Sequence, residues 1–261
     1  MMKKIMLIGF GAMAQEVLAR LPQGVEPGWI VARESHHAAI RDRFGARVAA
    51  LTSPTACDGQ PQLVLECASQ QAVVEYAQYV LLRGWRLAVI STGALADELL
   101  HQRLLAACHS GEGRLIPLSG AVAGLDGLAA AREGGLDHVI YQSCKSPASW
   151  RGSHAETQID LLAVSERQVF WRGSAREAAR LFPANANVAA TIALAGIGMD
   201  QTQVELMVDP TTQRNTHTLQ AAGKFGDLYL ELRGYPLSSN AKTSMLAALS
   251  AVQACRQLLY L

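Results

Sequence analysis

The sequence predicts an α/β protein with an N-terminal domain built on a doubly wound parallel sheet and a second, α+β catalytic domain. Three observations carry this. Short apolar runs, of the kind that form strands buried on both faces, alternate with stretches of helical spacing as far as Pro117. Glycines at positions 9 and 11 punctuate the first strand-to-helix transition. Beyond Ser119 the strand-like stretches continue with fewer crossover helices between them.

In chain order, Lys3 to Ile8 reads as the first strand, and Ala12 to Leu21 as a helix with Val17, Leu18 and Leu21 on one face, stopped by Pro22. Trp29 to Ala32 is the second strand, and a polar helix around Ser35 to Phe44 follows. Strands at Leu63 to Cys67, Leu87 to Ile90 and Arg114 to Pro117 alternate with helices at Gln70 to Arg83 and Ala96 to His109. The second domain, residues 119–241, contributes strand-like stretches at Val139 to Cys144, Gln203 to Asp209 and Leu228 to Leu232. Residues 242–261, with Met245, Leu246, Leu249, Val252 and Leu258 at helical spacing, predict a last helix that packs back on the first domain, residues 1–118.

Composition narrows the function classes. Lys and Arg number 23 against 22 Asp and Glu, so no basic field invites nucleic acid. The longest later apolar stretch, Val188 to Met199, is broken by Thr191 and two glycines and is shorter than the roughly 20 residues of a membrane span. Lys3 and Lys4 before an apolar run mimic an export signal, but the run carries two glycines and leads straight into Gln15 and Glu16, so a cytoplasmic protein is expected. The five cysteines are odd in number and lack a CxxC pair, which predicts reduced thiols and no metal site.

Gly9-Phe10-Gly11-Ala12-Met13-Ala14 fits G-x-G-x-x-G/A in the position a Rossmann dinucleotide site requires, after a strand and opening a helix. Gly9 permits the tight turn, Gly11 lets the backbone approach a pyrophosphate, and Ala14 keeps the helix close to the sheet. Where an NAD-specific site carries Asp or Glu at the tip of the second strand, this chain reads Ala32-Arg33-Glu34. Arg33 is either a partner for a 2′-phosphate or an ordinary solvated charge, so the cofactor is NAD or NADP. Ala68-Ser69 and Ser91-Thr92-Gly93, at the carboxyl ends of two strands, are small enough to lie beside a nicotinamide, or simply to pack closely.

Of the seven histidines, His36, His37, His101 and His109 lie on polar helices and read as surface groups, and His138 and His154 lack a polar neighbourhood. His217, near a loop in Asn215-Thr216-His217 with Glu205 and Asp209 upstream, reads from spacing alone as either an acid–base group or a satisfied structural histidine. Four separated motifs then bear on it: Phe182 to Ala190, Asn215-Thr216-His217 with Gly223 and Gly226, Ser119-Gly120-Ala121 running to Asp126, and Asn240-Ala241-Lys242-Thr243-Ser244. Together they resemble the L-aspartate dehydrogenase family over nearly the whole chain, the departure being Ala241 where the family usually has proline.

The resemblance implies that His217 is the catalytic histidine and that Ala121 and Asn187 touch the nicotinamide. It further implies oxidation of L-aspartate to iminoaspartate, then oxaloacetate and ammonia, with a role in NAD biosynthesis. On that footing His217 is expected to serve as general base, with activity rising with pH through the histidine range, and Lys242, Thr243 and Ser244 to bind a substrate carboxylate. A homoserine-type dehydrogenase, an imine reductase or a non-catalytic nicotinamide sensor would use the same architecture. A homodimer is the expected assembly.

Overall fold

The computed structural model describes residues 2–183 and 186–260, without the side chains of Ala241 and Lys242. The chain divides into two compact units, Met1–Leu118 together with Ala248–Leu261, and Ser119–Ala247.

In the first unit the strands β1 (Lys3–Ile8), β2 (Val25–Val31), β3 (Ala49–Leu51), β4 (Val64–Glu66), β5 (Arg86–Val89) and β6 (Arg114–Pro117) form one parallel sheet in the order β3-β2-β1-β4-β5-β6. The connecting helices are α1 (Ala12–Ala19), α2 (His37–Phe44), α3 (Gln70–Leu82) and α4 (Glu98–Gly111). Ile5, Met6, Leu7 and Ile8 are all buried, which only a strand covered on both faces allows. Ser69 and Asp97 cap α3 and α4 by accepting from the Ala72 and Leu100 amides. The strand order reverses between β1 and β4, so the turns that follow those two strands open a crevice.

Two differences from the expected elements have local causes. β2 begins at Val25 and passes through Pro27-Gly28, where the pairing with β1 slips by one residue; the extra residue absorbs the donor that proline lacks. β3 is three half-buried residues at the sheet edge, too short to leave a periodic signal.

Glu66, the last residue of β4, is 1% exposed. Its carboxylate accepts from the amides of Ala68 (2.8 Å), Ile90 (3.2 Å) and Ser91 (2.9 Å) and from the Ser91 hydroxyl (3.0 Å). Burial pushes its pKa up while these four donors oppose the rise. One side chain thereby ties the turn after β4 to the turn after β5.

In the second unit β7 (Leu136–Lys145), β8 (Gln168–Ser174), β9 (Gln203–Val208), β10 (Asn215–Gly223) and β11 (Gly226–Gly234) form a mixed sheet in the order β11-β10-β7-β9-β8, parallel only between β7 and β9. A hairpin of β12 (Pro236–Leu237) and β13 (Asn240–Ser244) follows. The remaining helices among the described residues are α5 (Leu125–Gly134), α6 (Pro147–Trp150), α7 (Ala175–Leu181), α8 (Asn187–Ala195) and α9 (Met245–Tyr260), the last of which counts with the first unit from Ala248 onward.

Alternation sorts the second sheet into unlike faces. Val139, Tyr141 and Ser143 of β7 share one face with Val204, Leu206 and Val208 of β9 and with His217, Leu219 and Ala221 of β10, and all of these are buried. The other face carries Gln142, Glu205 and Arg172, joined by hydrogen bonds of 2.7 and 2.8 Å, and the exposed Tyr229, Glu231 and Arg233.

The structure corrects three expectations here. His217 lies inside strand β10 and not beside a loop. Glu205 sits on a strand that does not neighbour β10 and faces away from His217, so it is no partner of the histidine. Residues 242–244, expected to open the last helix, belong instead to strand β13 (Asn240–Ser244), which pairs with Pro236–Leu237, and the helix starts at Met245, whose amide donates to the Tyr235 carbonyl at 3.0 Å. Among the described residues no helix is long and apolar enough to cross a membrane.

Candidate functional site

The crevice of the first unit is a cavity of about 500 Å³ lined by Gly9, Phe10 and Gly11 after β1, Arg33 and His36 after β2, and Ala68 and Ser69 after β4, among others. Gly9 has φ +112°, and a Cβ there would stand 2.8 Å from the Cys67 carbonyl oxygen and 3.0 Å from the Ala68 Cβ. Both the turn and the close approach to β4 therefore require glycine. Gly11, at the N-cap of α1 with φ −82°, is different: a Cβ there would meet nothing within 4 Å. Nothing within the protein crowds position 11, and the space beside it opens to the cavity. An anion there would face the free amides of α1.

Ala14 is fully buried under this turn and does not line the cavity. Arg33 lines it, whereas the exposed Glu34 does not. His36, expected at the surface, also lines the cavity, with its ring edge-on to Phe10 at 5.9 Å between centroids. Cavity-lining Thr52, Gln71 and Tyr76 were not legible either, because they reach it from the turn after β3 and from the flank of α3, outside the glycine motif. Ser91, Thr92 and Gly93 are buried in a 3₁₀ turn, with Ser91 engaged by Glu66.

The second concentration of chemistry lies on the buried face of the second sheet. His217, 5% exposed, pairs across the ladder with Ser143 and lies diagonal to Tyr141. The Tyr141 hydroxyl and His217 Nδ1 are 2.7 Å apart, with the rings 15° from parallel. Burial raises the Tyr141 pKa well above its ordinary value, so the phenol keeps its proton. A neutral phenol donates to Nδ1 when the imidazole proton is on Nε2 and accepts from Nδ1 in the other tautomer; in both, Nδ1 is engaged and Nε2 is the ring nitrogen left over.

Lys145 ends β7 on the same face, with its ammonium 5.0 Å above the Trp150 ring. Burial lowers its pKa to about 8, although part of the side chain reaches the surface. Burial first, and the Lys145 charge second, lower the His217 pKa to about 3. This overturns the expectation of a histidine that titrates in its ordinary range: His217 is neutral at any working pH.

Two buried side-chain oxygens among the described residues have no hydrogen-bond partner, Ser143 Oγ and Ser244 Oγ. Ser143 faces His217, close enough to Tyr141 to temper the rise in its pKa without forming a hydrogen bond of good geometry. Ser244 Oγ lies 3.8 Å from where a Cβ on Gly234 would stand, and Gly234 pairs with Asn215 at the His217 end of β10. Unsatisfied buried hydroxyls are costly; Ser143 carries one on the five-stranded sheet and Ser244 the other on the β12–β13 hairpin.

Comparison with known proteins identifies this arrangement. Residues 126–258 match the family described as aspartate dehydrogenase, C-terminal, and residues 9–116 match the homoserine dehydrogenase NAD binding domain. The chain is 71% identical to the L-aspartate dehydrogenase of Serratia proteamaculans, over 98% of this chain and 97% of that one. It is 52% identical to that of Acinetobacter baylyi, over 98% and 97%. The chain belongs to the L-aspartate dehydrogenase family. The crystal structure of aspartate dehydrogenase from Thermotoga maritima superposes with a TM-score of 0.79 at 27% identity, covering 99% of this chain and 97% of that one.

Membership makes the remaining residues of interest specific. Ala121 is buried just after the Ser119-Gly120 turn, and Asn187 is the half-buried first residue of α8. Thr243 is half-buried in β13 beside Ser244. The side chain of Lys242 lies outside the described residues, as do Ala184 and Asn185 of the Phe182 to Ala190 motif. Tyr141, Ser143 and Lys145 were missed in the sequence. The available signal was their period-two spacing, which puts three polar groups on the face shared by Val139.

Two outcomes are expected. Gly11→Val, which meets open space in the protein, leaves the fold intact and weakens both NAD and NADP, while Arg33→Ala weakens NADP alone; titration calorimetry separates the two, and unchanged affinities in both variants would remove these residues from the cofactor site. The second concerns acid. With a folded-state pKa of about 3 against 6.5 for the exposed imidazole, the unfolded chain takes up a proton that the folded chain refuses as pH falls. The histidine's contribution is therefore complete above about pH 6.5 and is lost toward pH 3, amounting to about 2 kcal/mol by pH 5. Chemical unfolding at pH 7 and pH 5 should show that much less acid sensitivity in His217→Asn than in the unsubstituted chain.

Proposed function

We propose that the chain oxidises L-aspartate to iminoaspartate with NAD or NADP as acceptor, the imine then hydrolysing to oxaloacetate and ammonia. The observation that carries this reading is the His217 end of the second sheet: a neutral, oriented imidazole opposite the partnerless buried hydroxyl of Ser143, in a chain 71% identical to an L-aspartate dehydrogenase across nearly its full length.

The bound nicotinamide supplies the two-electron acceptor for the hydride that leaves Cα. Gly9, Gly11, Ala14 and Ala68 shape the turns that hold the dinucleotide in the first unit, with Arg33 available to a 2′-phosphate. Ala121 and Asn187 contribute the contacts to the nicotinamide that the family implies. With Nδ1 engaged by Tyr141, the His217 atom left for substrate is Nε2. Lys242, Thr243 and Ser244 bind a substrate carboxylate, and the unpartnered Ser244 hydroxyl supports that role. A site built to pair with the second carboxylate rejects substrates that lack it, because its cationic partner would then be left unpaired.

The wider setting of the proposal is a cytoplasmic homodimer whose imine product feeds NAD biosynthesis. Closed two-fold dimers are the commonest symmetric assemblies, and light scattering on the purified chain should return twice the monomer mass; a monomer mass would exclude the dimer.

The test of the reaction is turnover, followed at the absorbance of reduced nicotinamide with a panel of amino acids. L-Aspartate should be strongly preferred over alanine and asparagine. His217→Ala should bind cofactor normally and lose roughly 10²–10⁴-fold in kcat, the range for a lost acid–base group or charge-stabilising donor. Equal use of alanine would refute the substrate, and near-normal turnover in His217→Ala would refute the histidine's role.

A further inference from the structure

The face that carries His217 holds another titratable group with no role so far. Oxidising an amine requires a base, because the substrate nitrogen enters as an ammonium and only the neutral amine has a lone pair to form the C=N bond. His217 is poorly suited to that task. Its Nδ1 is engaged by Tyr141, and burial together with the Lys145 charge holds its pKa down to about 3, too weak a base to take a proton from an ammonium.

Lys145 is placed differently. It lies two residues beyond Ser143 on the same face of β7, and Ser143 is the direct cross-strand partner of His217. Diagonal positions on one face of a ladder stand roughly 7–8 Å apart, within reach of a long side chain. Its charge is felt at His217. The partnerless Ser143 hydroxyl lies between the two.

We propose that Lys145 is the proton carrier of the reaction, with His217 presenting Nε2 beside it and Tyr141 as the positioning residue that engages Nδ1. The proposal rests on the reading of the chain as an L-aspartate dehydrogenase. The neutral Lys145 amine takes one proton from the Cα-ammonium. The freed nitrogen lone pair forms the C=N bond as the Cα–H pair departs as hydride to the nicotinamide, leaving the iminium. The proton on Lys145 then passes to solvent, which its partly exposed side chain reaches, and is the one proton the oxidation releases.

The surroundings of Lys145 suit this task. Tyr141 and Ser143 face it from its own strand, His217 from β10 and the Trp150 ring from α6. Asp209 lies one residue past Val208, the β9 partner of Lys145; it is held at 2.8 and 2.7 Å by the Thr211 amide and hydroxyl and feels the charge of Arg167. Burial brings the lysine to about 8, so a working fraction is neutral near physiological pH, and the Trp150 ring lies 5.0 Å from its ammonium.

The experiment uses the full chain and the variants Lys145→Met, Lys145→Arg and Tyr141→Phe, with normal NAD(P) affinity as the check on folding. The pKa of Lys145 is read directly from the pH dependence of its acetylation by acetic anhydride, followed by peptide mass spectrometry, and should fall near 8. The pH profile of kcat with L-aspartate should carry a limb at the same pH. Both Lys145 variants should lose roughly 10²–10⁴-fold in kcat together with the limb. Lys145→Arg keeps the charge and so should keep KM for aspartate within a few-fold, whereas Tyr141→Phe should lower kcat and leave the limb in place. An acetylation midpoint near 10, or near-normal turnover in Lys145→Arg, overturns the proposal and leaves the lysine a fixed charge. A wild-type chain that turns over cofactor but not L-aspartate overturns the function reading instead, and the acetylation midpoint then decides alone whether Lys145 is a poised amine.

Discussion

The 2.7 Å hydrogen bond between the Tyr141 phenol and His217 Nδ1 governs what the second unit can do. A phenol and an imidazole taken out of water each cost several kcal/mol unless paired, and here each meets the other's need. The bond exists because the antiparallel register of β7 and β10 sets Tyr141 opposite Leu219 and Ser143 opposite His217, which makes tyrosine and histidine diagonal neighbours on one face. A one-residue slip would turn His217 to the side of Gln142 and Glu205 and expose it. Register, and not proximity in sequence, thus selects which ring nitrogen is engaged and fixes the direction of the other.

The first unit solves a related problem with a carboxylate. Parallel strands leave their terminal amides unpaired at the carboxyl edge of the sheet, where a ligand must also fit. Glu66 takes up three of those amides and one hydroxyl from below, so the turns after β4 and β5 are fixed without any side chain intruding from above. The two glycines of the loop then divide the labour: Gly9 is required by the protein's own backbone, and Gly11 borders space that opens to the cavity.

How much of this the sequence discloses depends on the range of the interaction. The parallel sheet is legible because covering both faces of a strand leaves a continuous apolar run, as in Ile5 to Ile8, and the glycine loop because its constraints are local. β3 is hidden by its brevity, and β10 because its alternation is carried by threonines around a polar His217. Of the candidate site, His217 was reached through resemblance, but its partner was not: Tyr141 is 76 residues away, and nothing in either local sequence announces the pairing. The expected acid–base range of His217 failed for the same reason, since burial and Lys145 are both properties of the folded sheet.

The two faces of that sheet give an internal control for separating a working cluster from a stabilising one. Gln142, Glu205 and Arg172 form a chain of hydrogen bonds at the surface, where each donor has its acceptor and water completes the rest; such a network contributes modestly and asks for nothing more. On the opposite face two strands supply Tyr141, Ser143, Lys145 and His217 in the interior, where one hydroxyl has no partner, and burial holds one lysine and one imidazole far below their usual pKa values. Each of these departures costs folding free energy that an apolar side chain of similar size would not. The Ser143 hydroxyl differs in kind from the surface network, because a polar atom already saturated by its own chain has nothing left with which to bind, and this one is not saturated.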